Sequence, residues 1–187
     1  MATQAPLLFV TSSPEKLRET GAALNSPLER VSLELEEIQS ASLEAVVRHK
    51  ATHAFGLLSK PLLVEDTSLG FAAWGGLPGP FVKFFLRALG PEALARAVLA
   101  CGDPAAEALS GFGYHDGREL HYFEGRAAGR IVSPRGAGGF GWDSIFQPDG
   151  AAGTYAEMTP GQKRDFSMRT RALERFQAFQ QKIADRP

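Results

Sequence analysis

Cysteine occurs once in the 187 residues, at Cys101, so no internal disulfide can form and a thiolate-held metal centre is excluded. A lone thiol suits a reducing compartment, and a cytoplasmic location is expected. No apolar run approaches the ~18 residues needed to cross a bilayer. Met1 to Val10 has neither the basic start nor the apolar length of a secretory leader. An excess of one charge is also missing, because 20 Lys+Arg face 21 Asp+Glu for a net charge of −1. That balance removes the electrostatic footprint of a dedicated nucleic-acid binder, and neither nucleic acid nor membrane is expected as a partner. Any anionic ligand must then be held by basic groups gathered locally. The four histidines, His49, His53, His115 and His121, are scattered and form no Ser-His-Asp arrangement, so they read as surface or structural. What is present is ordinary: 44% of the residues are hydrophobic, enough for one proper core and too many for a disordered chain.

The pattern interleaves strands and helices. Leu7 to Thr11 reads as a buried strand, followed by Ser13 as N-cap and Pro14 at the first helical position. Val31 to Leu35 alternates strictly and predicts a half-buried strand. From Ser42, Leu43, Val46, Val47, Ala51, Ala54 and Leu58 fall on one helical face. Leu62 to Val64 predicts a strand ending at Glu65-Asp66. A Gly/Pro loop (residues 74–80) precedes an aromatic helix over 81–89, Gly90-Pro91 breaks it, and a second helix follows over 92–100. Phe81, Phe84 and Phe85 read as core or a subunit interface, with Lys83 on the opposite side. Asp116-Gly117 suits a hairpin turn, and one last helix is expected over about 160–184. The class is α/β, a mixed central sheet flanked by helices, in a single domain spanning residues 1–187.

Four segments can carry chemistry, and each has a plain alternative. Thr11-Ser12-Ser13-Pro14-Glu15-Lys16 places free amides, hydroxyls and Lys16 at a helix start, a geometry that suits phosphate. By itself it reads more readily as a capped helix with a surface lysine. Glu65-Asp66-Thr67-Ser68 offers two hard carboxylates of the kind that hold Mg²⁺, or simply an acidic turn. Phe140-Gly141-Trp142-Asp143 can stack a planar base and bind its edge, or belong to the core. Lys163 to Arg169 puts Lys163, Ser167 and Thr170 near one face, a basic grip or a solvated surface.

In this order the segments resemble the inosine/xanthosine triphosphate pyrophosphatase family, most closely its eukaryotic-type members. The resemblance runs from Leu8 to about Leu173. It is carried by Leu63-Val64-Glu65-Asp66-Thr67, by Gly75-Gly76-Leu77-Pro78-Gly79-Pro80 with Lys83, and by residues 129–136, Gly-Arg-Ile-Val-Ser-Pro-Arg-Gly. Phe140 to Asp143, Phe146 to Gly150 and Thr154 to Met158 continue it. The resemblance implies an elongated two-lobed fold with the active site in the cleft between lobes. It also implies a homodimer, Mg²⁺ dependence, and cleavage of a nucleoside triphosphate to monophosphate and pyrophosphate.

Residue by residue, the resemblance places the phosphate loop on Thr11, Ser13 and Lys16 and the metal-binding glutamate on Glu37. Lys50 takes the phosphate-contacting lysine, Asp66 the central catalytic and metal carboxylate with Glu65 beside it, Thr67 the neighbouring contact, and Lys83 the lysine beyond the Gly/Pro loop. Phe140, Gly141, Trp142 and Asp143 form the base segment, with Phe140 and Trp142 sandwiching the ring. Lys163, Met168 and Arg169 fall on the closing basic motif. Lys16, Lys50, Lys83 and Lys163 together would neutralise a triphosphate. Two departures stand out: Thr11-Ser12-Ser13 replaces the family's Thr-Gly-Asn, and Ser167-Met168-Arg169 replaces Ser-His-Arg.

Overall fold

Side-chain alternation on two short strands decides how the sheet is covered. In β1 (Leu7–Val10) and β3 (Leu62–Phe71), Phe9 and Leu63 point to one face, while Val10, Leu62 and Val64 point to the other. The first set packs with Leu24 of α1 (Pro14–Leu24) and Phe176 of α5 (Met168–Ala184). The second packs on Leu43, Val47, Ala51 and Ala54 of α2 (Leu43–Leu58). This computed structural model describes residues 6–24 and 27–184; residues 1–5, part of the stretch read for a leader, lie outside them.

Seven strands form one mixed sheet in the order β2-β1-β3-β5-β6-β7, with β4 (Pro78–Gly79) on the side of β3. β1 runs parallel to β2 (Leu28–Val31) and to β3. β5 (Ala105–His115), β6 (Leu120–Ile131) and β7 (Phe146–Pro148) continue antiparallel from β3. At the far end, α3 (Val82–Leu99) covers a second core of Leu69, Phe71, Leu94, Val98, Ile145 and Phe146. The two ends of the sheet are therefore two lobes, each with its own apolar filling. Among the described residues, no helix is long and apolar enough to cross a membrane.

One detail of register positions the site. Along a single edge of β3, Leu62–Val64 pair with β1 and Leu69-Gly70 pair with β4, leaving residues 65–68 with no strand beside them on that edge. The loop after β1 opens into this gap, the switch point at which open α/β sheets take ligands.

Three expectations need correction. β3 does not end at Glu65-Asp66, because its pairing with β5 continues to Phe71. The strand foreseen over 31–35 lies at 28–31, where β1 supplies a partner; residues 32–35 have none, although Val31, Leu33 and Leu35 still pack on the α2 core. The last helix is two, α4 (Pro160–Phe166) and α5, broken at Ser167 with ψ 129°. The kink at Gly90 (φ +73°) falls where Gly90-Pro91 was expected to break α3.

Candidate active site

Alternation sends the two adjacent carboxylates of β3 to opposite faces. Glu65 points toward α5 and α1, is 2% exposed, and accepts from Ser110 Oγ at 2.8 Å and Arg169 Nε at 3.0 Å. Lys16 Nζ stands 3.1 Å from its other oxygen. Asp66 points toward α2, where Lys50 Nζ lies 3.6 Å away, and its Oδ1 accepts from the Thr67 amide at 2.8 Å.

From these two residues a continuous row of alternating charge extends in both directions. It reads Asp143–Lys163–Glu19–Arg169–Glu65–Lys16–Asp66–Lys50–Glu37–Lys83, five acids and five bases, each paired with the next. Lys163 lies 2.6 Å from Asp143 and 2.8 Å from Glu19. Lys83 pairs with Glu37 Oε2, and Arg169 Nη1 with Glu19 Oε2.

Burial by itself would raise the Glu65 carboxyl, but Arg169, Lys16 and the Ser110 hydroxyl outweigh it and bring the pKa down to about 2. Burial also opposes the Arg169 charge, yet Glu65 and Glu19 push its pKa up. Asp143 moves the other way: burial raises it even against Lys163. Partial burial, with Arg87 and Lys16 nearby, lowers the Lys83 ammonium.

Beside this row lies a cleft of about 430 Å³. Thr11, Ser12, Ser13 and Lys16 line one wall, with Glu37, Asp66, Thr67 and Lys83 adjoining them. Phe140 to Asp143, Met168 and Arg169 line another part. Ser13 Oγ accepts from the Lys16 amide at 3.1 Å, which caps α1 at its first turn. Ser12 is accommodated easily, since Ser59 is the only non-glycine with positive φ among the described residues. Gly139, at φ +71°, is required: a Cβ there would collide with the Asp143 carboxylate, whose Oδ2 accepts from the Phe140 amide at 2.9 Å. Gly125 is likewise required, because a Cβ would strike the Met168 carbonyl where α5 begins on β6.

Several expected residues sit differently. Glu65 does not line the cleft and is taken up by Arg169, Lys16 and Ser110, in contrast to Glu37 and Asp66. Lys163 is 8% exposed, sits between Glu19 and Asp143, and does not line the cleft. Its ammonium instead lies 5.0 Å over the Phe140 ring. Lys50 touches Glu37 and Asp66 but does not line the cleft. Trp142 is 6% exposed and packed on Phe146 and Tyr155, so it is a fixed wall and Phe140 is the freer ring. The helix break separates Lys163 from Ser167 and Thr170. Phe84 is 51% exposed, and Lys83 lies over its ring at 5.1 Å, on its side of the helix and not opposite.

Sequence reasoning missed Glu19 and Arg87. Glu19 follows Lys16 by three residues and Arg87 follows Lys83 by four, so helical spacing puts each on the face of a residue already singled out. Arg87 lines the cleft and Glu19 bridges two bases of the row.

The mixed sheet and this cleft define an α/β protein with one wall of hydroxyls and a lysine, a pair of hard carboxylates, and a wall of aromatic and guanidinium groups. The pattern of the Ham1 family matches residues 7–179, and the chain belongs to that family. It is 43% identical over 177 residues to an inosine triphosphate pyrophosphatase of Schizosaccharomyces pombe, covering 92% of this chain and 94% of the relative. To inosine triphosphate pyrophosphatase 2 of Trypanosoma cruzi it is 45% identical over 170 residues, covering 88% and 87%. A HAM1 protein from Coxiella burnetii superposes with a TM-score of 0.80 at 26% identity, covering 94% of this chain and 99% of the other. A nucleoside-triphosphatase, dITP/XTP pyrophosphatase, from Mycobacterium abscessus superposes at 0.71 with 30% identity, covering 91% and 98%.

Proposed function

We propose that residues 1–187 form one pyrophosphatase domain that hydrolyses deaminated purine nucleoside triphosphates (ITP, dITP, XTP) to the monophosphate and pyrophosphate. The reading includes Mg²⁺ dependence, a homodimer and a cytoplasmic setting. One observation carries it: a single cleft joins the hydroxyl-and-lysine wall, the Glu37/Asp66 pair and the Phe140/Arg169 wall. Membership of the Ham1 family and the activity named for its relatives point the same way.

The donor set fits magnesium. Glu37 and Asp66 are oxygen ligands lining one cleft, and both lie within 3.6 Å of the Lys50 ammonium, so the two converge on one point of positive charge. Mg²⁺ is commonly held by one or two carboxylates together with water and substrate phosphates. When bound, it supplies charge neutralisation at the phosphate oxygens and polarises the phosphorus.

The chain's own residues do the rest. Thr11, Ser13 and Lys16 hold the phosphates at the start of α1, with Thr67 and Lys83 beside them. Asp66 takes the proton of the water that attacks the α-phosphorus, and the α–β bridging oxygen leaves with pyrophosphate. Fixed charges supply most of the rate, as they do in phosphoryl transfer generally. Phe140 offers a face to the base, and Asp143 and Arg169 meet its edge. Of the five N–H donors of a guanidinium, Arg169 gives one from Nε to Glu65 and one from Nη1 to Glu19, with Nη2 at 2.9 Å from the same Glu65 oxygen, and its remaining donors can meet a 6-oxo group. An adenine amino group would meet those donors with donors of its own.

A Mg²⁺-dependent pyrophosphate-release screen over ITP, dITP, XTP, GTP and ATP tests the reading. Turnover led by the deaminated purines is expected, and pyrophosphate release from none of them sinks it. Met168 favours a second reading, a shifted base preference, in which GTP leads the same screen. Light scattering of the purified chain checks the dimer.

A further inference from the structure

Between β2 and α2 the chain runs through residues 32–42 without helix or strand, and Glu37 lies in the middle of that stretch. Leu33 and Leu35 tuck against the α2 core, but the backbone has little to hold it. Among the described residues, Glu36 supplies the only amide of 33–41 that donates elsewhere in the fold. Its acceptor is His53 Nδ1, at 3.0 Å. An amide can only donate, so Nδ1 is the unprotonated nitrogen of that ring.

His53 follows Lys50 by three residues on α2, which puts both on one face of the helix. The helix thus grips the loop at two consecutive residues: Lys50 Nζ at the Glu37 carboxylate, 3.2 Å away, and His53 at the backbone of Glu36. The two grips differ in kind. Lys50 and Lys83 hold Glu37 through its carboxylate, the group a cation would also engage, so they compete with the ligand. His53 holds the main chain and leaves the carboxylate free.

Resting on the reading of Glu37 as a metal ligand, we propose that His53 is a positioning residue. Its Nδ1 fixes the 32–42 loop so that the Glu37 carboxylate stays aimed into the cleft when the divalent cation, and not a lysine, is its partner. The Glu36–His53 hydrogen bond is the feature that carries this.

The test uses the whole chain and Mn²⁺ alone, titrated by electron paramagnetic resonance without substrate. Hydrogen exchange of the Glu36 amide and thermal melts accompany it. Loss of an outer partner of a ligand typically weakens metal binding ~10–100-fold, and His53→Leu should fall near ~10-fold with faster Glu36 exchange. His53→Asn puts an amide oxygen where Nδ1 was and should restore both, whereas His53→Gln carries its oxygen too far out and should not. A merely packed histidine would move the melting temperature of all three variants alike and leave the Asn/Gln contrast absent. Native-like Mn²⁺ affinity in His53→Leu, with Glu37→Gln weakened, overturns the inference alone. Native-like affinity in Glu37→Gln removes the metal role of Glu37 and the inference with it.

Discussion

Glu65 and Asp66 are neighbours on one strand and carry the same charge, yet the sheet separates their fates. Glu65 turns to the α5 face, where Arg169, Lys16 and Ser110 close over it and bury its side chain. Asp66 turns to the α2 face and lines the cleft, with Lys50 and Lys16 at 3.6 and 3.9 Å. Strand alternation has made one carboxylate a support and left the other available for chemistry. Charge and sequence position alone do not say which is which; the side chains arriving on each face do.

The contrast is most exposed to test at Asp66. Asp66→Asn should lower kcat by ~10²–10³-fold, while the melting temperature stays close to that of the native protein. Glu65→Gln should do the reverse in kind, because it leaves Arg169 buried with half of its compensation. A loss of ~3 kcal/mol is expected from breaking such a pair, read as a drop of roughly 10 °C in the melting temperature. If Asp66→Asn melts as low as Glu65→Gln, the division between support and chemistry fails.

Acid sharpens the same point. The Glu65 carboxyl titrates at about 2 in the fold against an ordinary 4.5, so the unfolded chain takes up its proton first. Stability from this group is present above about pH 4.5 and drains away as the pH falls toward 2. Urea melts across that window should show the loss in the native protein and a flatter profile in Glu65→Gln. The smallest effect is expected at Met168, beside Arg169 on the cleft wall. Met168→His should change the ITP-to-GTP ratio of kcat/KM by about ten-fold or less, read as a ratio so that the stability lost by putting an imidazole at this buried position, 3% exposed, cancels.

Much of this arrangement was legible in the sequence. Apolar spacing placed α2 and the strand at Leu62, and the order of short motifs pointed to the cleft residues Thr11, Ser13, Asp66, Lys83 and Arg169. What escaped depends on partners distant along the chain. The length of β3 is set by β5, more than thirty residues later. The sealing of Glu65 and Lys163 depends on residues 104 and 144 positions away. Glu19 escaped because its partners Lys163 and Arg169 lie 144 and 150 positions away, although helical spacing tied it to Lys16. The break at Ser167 has no glycine or proline to announce it.

The alternating row has a further consequence for how a ligand arrives. Its five acids and five bases cancel, as the chain's 20 basic and 21 acidic residues very nearly do, so the cleft projects little field into solvent. A polyphosphate is not drawn in from afar, and its encounter rate should depend weakly on ionic strength. Attraction builds at short range, where phosphate oxygens meet Arg87 and displace carboxylates from their lysines. The site is thus quiet at long range and selective at short range, and abundant anions that cannot break those pairs drift past it.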